Sequence, residues 1–146
     1  MIDVRIGTEV FDAGAEIDAL GGEGIGAIAT FIGIVRGDGG LTSLTLDHYP
    51  AMTERALRGL AGEAVARWTL NGVTIVHRVG TMAPGERIVF VGTSSPHRAA
   101  ALDACAFLID ALKTRAPFWK REAFDDGRTG WVEAKEADDH ATARWG

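Results

Sequence analysis

The sequence predicts an α+β fold: a single domain, residues 1–146, with a mainly antiparallel sheet, two long helices and short accessory elements. Three observations lead there. Strand-like segments arrive in adjacent pairs, which disfavours a doubly wound parallel sheet, where strands alternate singly with helices. Two segments, Pro50 to Leu70 and Ser95 to Ala116, have the length and apolar spacing of long helices. The 146 residues suit one domain, and no repeat, low-complexity tract or linker divides them.

In chain order, Val4 and Ile6 alternate with polar neighbours as a first strand. Phe11 to Leu20 reads as a short helix, with Asp12 as N-cap and Gly21-Gly22 as its stop. Ile25 to Val35 is rich in Ile, Val, Ala and Phe; with Gly24, Gly26 and Gly33 it reads as a strand buried on both faces. Gly37 to Gly40 is a turn or mobile loop. Leu44, Leu46 and His48 alternate with polar residues as a core strand. In the helix from Pro50, Met52, Ala56, Leu57, Leu60, Ala64, Val65 and Trp68 form one stripe, and Asn71-Gly72 stops it. Val73 to Val79 and Arg87 to Thr93 pair across a Pro84-Gly85 turn. Ser95 caps the second long helix, whose stripe is Leu102, Ala106, Ile109 and Leu112, and Ala116-Pro117 ends it. Phe118 to Glu122 and Trp131 to Ala134 are short strands, and Glu136 to Trp145 is a terminal helix or a frayed tail.

Composition narrows the function. A net charge of −5 argues against general nucleic-acid binding, which needs a phosphate-neutralising surface. No apolar run approaches the ~20 residues that span a bilayer. Met1 to Val10 lacks a basic region followed by an apolar one, so no secretion signal is expected, and the single Cys105 permits no internal disulfide. These features point to the cytoplasm. Against the acidic background, Lys113, Arg115, Lys120 and Arg121 fall within nine residues that contain no acid. The cluster suits a local anion site, or equally a solvated helix end where cations offset the macrodipole.

Other residues sharpen the anion reading. His97 and Arg98 sit in the first turn of a predicted helix, where free backbone N–H groups favour an anion. A cation there is otherwise unfavourable by ~0.3–1 kcal/mol. Lys113 and Lys120 flank a helix end; ammonium groups sharing a pocket repel, which favours a neutral amine on one and leaves the other to hold an anion. Phe118 and Trp119 beside them suit a sheltered pocket or a partner interface. Arg36 ends an apolar strand before Gly37-Asp38-Gly39-Gly40, a loop that lets a ligand approach the backbone but lacks the phosphate-loop pattern. His48, His77 and His140 show no metal-ligand spacing with Cys105, so no metal site is predicted, and Cys105 reads as a small core residue.

Seven segments then carry a family resemblance over nearly the whole chain. They are Phe31-Ile32-Gly33-Ile34-Val35-Arg36, Leu46 to Thr53, Val76-His77-Arg78-Val79-Gly80, Pro84-Gly85-Glu86, His97-Arg98, Leu112 to Glu122, and Trp131-Val132. In this the chain resembles the large, catalytic subunit of molybdopterin synthase. The resemblance implies a sulfur transferase that converts cyclic pyranopterin monophosphate to molybdopterin by inserting two dithiolene sulfurs. It implies a small ubiquitin-like partner whose C-terminal Gly-Gly thiocarboxylate threads into a pocket, a homodimer of large subunits with one small subunit at each end, and no metal or redox cofactor. It makes Lys113 and Lys120 the catalytic pair, with Arg36, His97 and Arg98 holding substrate and Arg121 and Glu122 continuing the binding strand. Lys135 stands where some members carry arginine, keeping charge without bidentate geometry.

Two alternatives compete: a non-enzymatic adaptor that docks a ubiquitin-like tail, and a partner-independent phosphate-ester or acyl-transfer enzyme with His97 as base. Spacing adds one constraint. His97 and Lys113 lie sixteen residues apart on one predicted helix, about 24 Å at ~1.5 Å per residue. No small pterin reaches both from one chain, so the expectation is a site shared across a two-fold interface.

Overall fold

The computed structural model describes residues 1–132 and 136–146. The elements are β1 (Ile2–Gly7), α1 (Ala13–Leu20), β2 (Ala27–Ile34), a 3-10 turn (Asp38–Gly40), β3 (Leu41–His48), α2 (Pro50–Arg67), β4 (Gly72–Arg78), β5 (Gly80–Met82), β6 (Arg87–Ser95), α3 (Arg98–Arg115), β7 (Phe118–Phe124), β8 (Thr129–Val132) and α4 (Glu136–Ala143). The strands form two four-stranded sheets, ordered β1-β4-β6-β2 and β5-β3-β7-β8. β1 and β4 run parallel, and every other pairing is antiparallel. This is the α+β class that the paired strand signals predict.

The main core lies where α2 and α3 cover the first sheet. Leu57, Leu60 and Ala64 of α2 meet Ala101, Cys105 and Leu108 of α3 over Val73, Ile75 and Val91. Burying each large aliphatic side chain there contributes about 1.5–3 kcal/mol. Leu44, Leu46, Val79 and Met82 form a second cluster at the other sheet. The Asp12 cap is as expected, its carboxylate accepting from Ala15 N–H at 3.2 Å. Cys105 is buried, and burial pushes its thiol up to about 11, as befits a core residue rather than a nucleophile.

The structure corrects several local expectations. β2 is an edge strand, not one buried on both faces: Ile28 and Ile34 are exposed. Its Gly content reflects close packing instead, since a Cβ on Gly26 would sit 2.2 Å from the Pro96 carbonyl oxygen. α2 stops at Arg67, capped by Trp68, before Asn71-Gly72. Its buried face is Thr53, Leu57, Leu60, Ala61 and Ala64, leaving Met52 and Val65 exposed. Ser95 belongs to β6, and His97 is the N-cap of α3. The α3 face that packs inward is Ala101, Ala104, Cys105, Phe107, Leu108 and Ala111, rotated from the predicted stripe, and Leu102 is exposed. With Ala abundant on both faces, apolar spacing alone could not fix which one turns inward. The three-residue β5 has too few residues for an alternation signal and went unpredicted.

His77 and Phe118 join the two sheets. Their rings stack with centroids 4.0 Å apart and planes 21° apart, one from β4 and the other from β7. His77 Nδ1 bonds the Arg78 carbonyl at 2.8 Å, so Nδ1 carries the proton. Burial, with Lys120 and Lys113 nearby, pushes the His77 pKa down to about 4. Arg78 is buried too, and its guanidinium donates to Glu86 Oε1 at 3.2 Å, the Arg87 carbonyl at 3.0 Å and the Thr8 carbonyl at 3.3 Å.

Two predictions follow from this packing. Gly26→Ala should lower unfolding free energy by more than about 1 kcal/mol in urea titration, because the clash is with backbone. For His77, the unfolded chain binds a proton near 6.5 while the folded protein resists until about 4. Between those values the unfolded state holds more protons, so this contribution to stability falls as pH drops from 6.5 toward 4. Urea unfolding across that window should show a weaker acid dependence in His77→Gln than in the wild type.

Candidate functional site

The end of α3 and the start of β7 create the site. Ala116 leaves the helix with φ −82° and ψ 131°, the extended conformation favoured before proline. Phe118 N–H donates to the Ala116 carbonyl at 2.9 Å, and the buried Thr53 hydroxyl donates to the Pro117 carbonyl at 3.2 Å. This anchored turn sets Lys113, in the last helical turn, against Lys120, the third residue of β7. Side chains alternate along a strand, so Lys120 shares a face with Phe118 while Trp119 and Arg121 face the other way.

Lys113 and Lys120 line one cavity of about 280 Å³ together with Arg36. Its remaining wall is largely apolar, including Phe31, Ile34, Leu46, Ile109, Leu112 and Phe118. No carboxylate lines it among the described residues. Arg36 follows β2, whose end is fixed by Val35 N–H to the Glu86 carbonyl at 2.9 Å and Gly85 N–H to the Val35 carbonyl at 2.8 Å. The Arg36 side chain is 76% exposed and lies 3.4 Å from an equally exposed Asp38 carboxylate. A solvated pair of this kind contributes little and yields readily to a ligand anion. The cavity therefore suits an organic anion with an apolar body: charge-assisted bonds hold the anionic end, and the wall shelters the rest. Among the described residues no group of three or more His, Cys, Asp or Glu is placed to hold a metal ion.

The other predicted site residues lie elsewhere. His97 and Arg98 are exposed at the opposite end of the unbroken α3, and neither lines the cavity of its own chain. His97 N–H donates to Ser95 Oγ at 3.2 Å. Arg121 is exposed on the outer face of β7, 5.7 Å from the Trp131 ring centroid. Glu122 shares the Lys120 face of β7 but lies beyond the cavity lining. Lys135 is outside the described residues. Sequence reasoning missed His77, which lines the cavity beside the lysines. The sequence by itself gives it no site role beyond a rejected metal-ligand spacing. The available signal was its position two residues after Ile75 in an inward-facing strand series, Val73, Ile75, His77.

Comparison with known proteins identifies the family and the fold. The family described as "MoaE protein" matches residues 6–115. A Mesorhizobium japonicum protein named "Molybdopterin synthase catalytic subunit" is 51% identical over 146 residues, covering 97% of this chain and 92% of the relative. A solved structure of the molybdopterin biosynthesis MoaE protein from Burkholderia ambifaria is 48% identical, with a TM-score of 0.86, over 99% of this chain and 98% of the other. A Helicobacter pylori structure, described as a complex of subunits 1 and 2 of molybdopterin-converting factor, shares the fold at 22% identity, with a TM-score of 0.73 over 92% of this chain and 90% of the other. With a family match over most of its length and relatives that align nearly end to end, the chain belongs to the MoaE family, the catalytic subunits of molybdopterin synthase.

Proposed function

We propose that this chain transfers sulfur into cyclic pyranopterin monophosphate, forming the dithiolene of molybdopterin, with the sulfur delivered as a thiocarboxylate on the Gly-Gly tail of a small ubiquitin-like subunit. The observation that carries the proposal is the convergence of Arg36, Lys113 and Lys120 on one apolar-walled cavity. In this reading Arg36 holds phosphate, and Lys113 meets the tail's thiocarboxylate. The sulfur, already nucleophilic, attacks a carbon of the pterin side chain and displaces its oxygen substituent; water then cleaves the acyl–sulfur bond, leaving the sulfur on the pterin and a carboxylate on the tail. Lys113 and Lys120 stabilise the negative charge that develops and move protons. Arg121 and Glu122 extend the binding strand, Lys135 completes the charge around the substrate, and the cytoplasm is the site of reaction. The name of the Helicobacter pylori complex, two subunits of one converting factor, supports a two-subunit assembly.

The cavity itself weighs against the competing readings. An adaptor for a peptide tail has no use for Arg36 beside the two lysines. An esterase with His97 as base would need that residue from a second copy, because His97 does not line the cavity of its own chain, and it would turn over without the small subunit.

The same reading includes a homodimer that completes the site. β2 is a free sheet edge with Ile28 and Ile34 exposed, and exposed edges favour cover. It begins beside the α3 N-terminus, where Gly26 N–H donates to the Ser95 carbonyl, and it ends at Ile34, two residues before Arg36. Its eight residues span about 26 Å at ~3.3 Å each, close to the ~24 Å between His97 and Lys113 along α3. Two copies meeting antiparallel along this edge would set His97 and Arg98 of the partner subunit at the cavity, where they would complete the phosphate site.

Two measurements test the proposal. Lys113→Ala should reduce dithiolene formation at least about a hundredfold with thiocarboxylated small subunit and cyclic pyranopterin, while fold and partner binding persist. Wild-type turnover by that variant would overturn the role given to Lys113. For the shared site, mixing His97→Ala with Lys113→Ala subunits should restore one working site per mixed dimer, and mixed dimers as inactive as both parents would refute it.

A further inference from the structure

The cavity has a chemical asymmetry. Arg36, Lys113 and Lys120 offer only hydrogen-bond donors, and the other lining side chains, His77 apart, carry no polar atom. His77 is therefore the one side-chain acceptor among the described lining residues. Its Nδ1 proton is committed to the Arg78 carbonyl, so in the neutral ring Nε2 carries a lone pair. Among the described residues Nε2 makes no hydrogen bond and is not one of the buried unpaired atoms, so it keeps some access, and His77 lines this cavity as well as a neighbouring one beside β1. The stack on Phe118 fixes the ring plane. Among the described residues the titratable groups acting on the ring are Lys120, Lys113 and His48, with no acid among them.

We propose that His77 is a specificity-determining residue: its Nε2 accepts a hydrogen bond from an N–H or O–H of the bound heterocycle. The proposal rests on the pterin reading above. A phosphate or a thiocarboxylate is an acceptor throughout and is served by the cations alone. A pterin presents N–H donors as well, and among the described lining side chains only His77 can accept from them. The imidazole remains neutral through physiological pH because burial and the two lysines oppose its protonation, so the acceptor persists. His77 thus separates the pterin from the peptide tail and from simple anions competing for the same lysines.

The test uses the assembled synthase with its thiocarboxylated small subunit. In His77→Phe, which keeps a stacking ring and removes the acceptor, KM for cyclic pyranopterin monophosphate should rise about tenfold or more. Affinities for inorganic phosphate and for a peptide of the small subunit's last residues should stay within about twofold of wild type. His77→Gln, which restores a neutral acceptor, should recover most of the loss. An unchanged KM in His77→Phe would overturn the proposal, as would a parallel loss of phosphate and tail binding, which marks a structural role. Should His77→Phe not fold, the ¹⁵N resonance of Nε2 in wild-type protein decides: it should move on adding pterin and not on adding phosphate, and no selective movement would overturn the proposal. Absence of wild-type turnover would instead sink the sulfur-transfer reading itself.

Discussion

Three cations held around one cavity, with no lining carboxylate among the described residues, repel one another, and the surrounding structure must oppose that repulsion. It does so with backbone. The Ala116–Pro117 turn is clamped by Thr53 from α2, and the strand end before Arg36 is clamped by the turn before β6. Each cation then sits on a rigid element whose position its own charge cannot change. A ligand anion bound among these cations reduces their mutual repulsion.

The junction between the two sheets serves the same end. His77 and Arg78 are consecutive on β4, and both are buried. One stacks across to β7, while the other ties the β1–α1 connection to the start of β6. This makes the floor of the cavity part of the core. A neutral imidazole is compatible with that burial and with two nearby ammonium groups, whereas a charged one is not. Stability and ligand recognition therefore favour the same protonation state.

Much of this was legible in the chain. Turn residues and paired strand signals gave the α+β class, because Pro, Gly and Asn restrict the backbone locally. The acid-free run from Lys113 to Arg121 contains two of the cations that line the cavity, and the length of α3 already separated His97 from Lys113. The face of α3 that turns inward was not legible, since alanine and leucine occur on both sides of the helix. Nor was the edge position of β2, because an apolar strand with glycines reads alike whether a second sheet, a helix or another copy covers it.

Local chemistry is thus what the sequence by itself determined: where helices start and break, and which segment carries clustered positive charge. Tertiary structure alone decided which charges meet. Arg36 joins Lys113 and Lys120 through sheet pairing and helix packing between residues distant in the chain, while Arg121, next to Lys120, points away because alternate strand residues face opposite sides. The role proposed for His77 depends on the Phe118 ring stacked on it, since an imidazole's protonation and available lone pair depend on the neighbours that burial supplies.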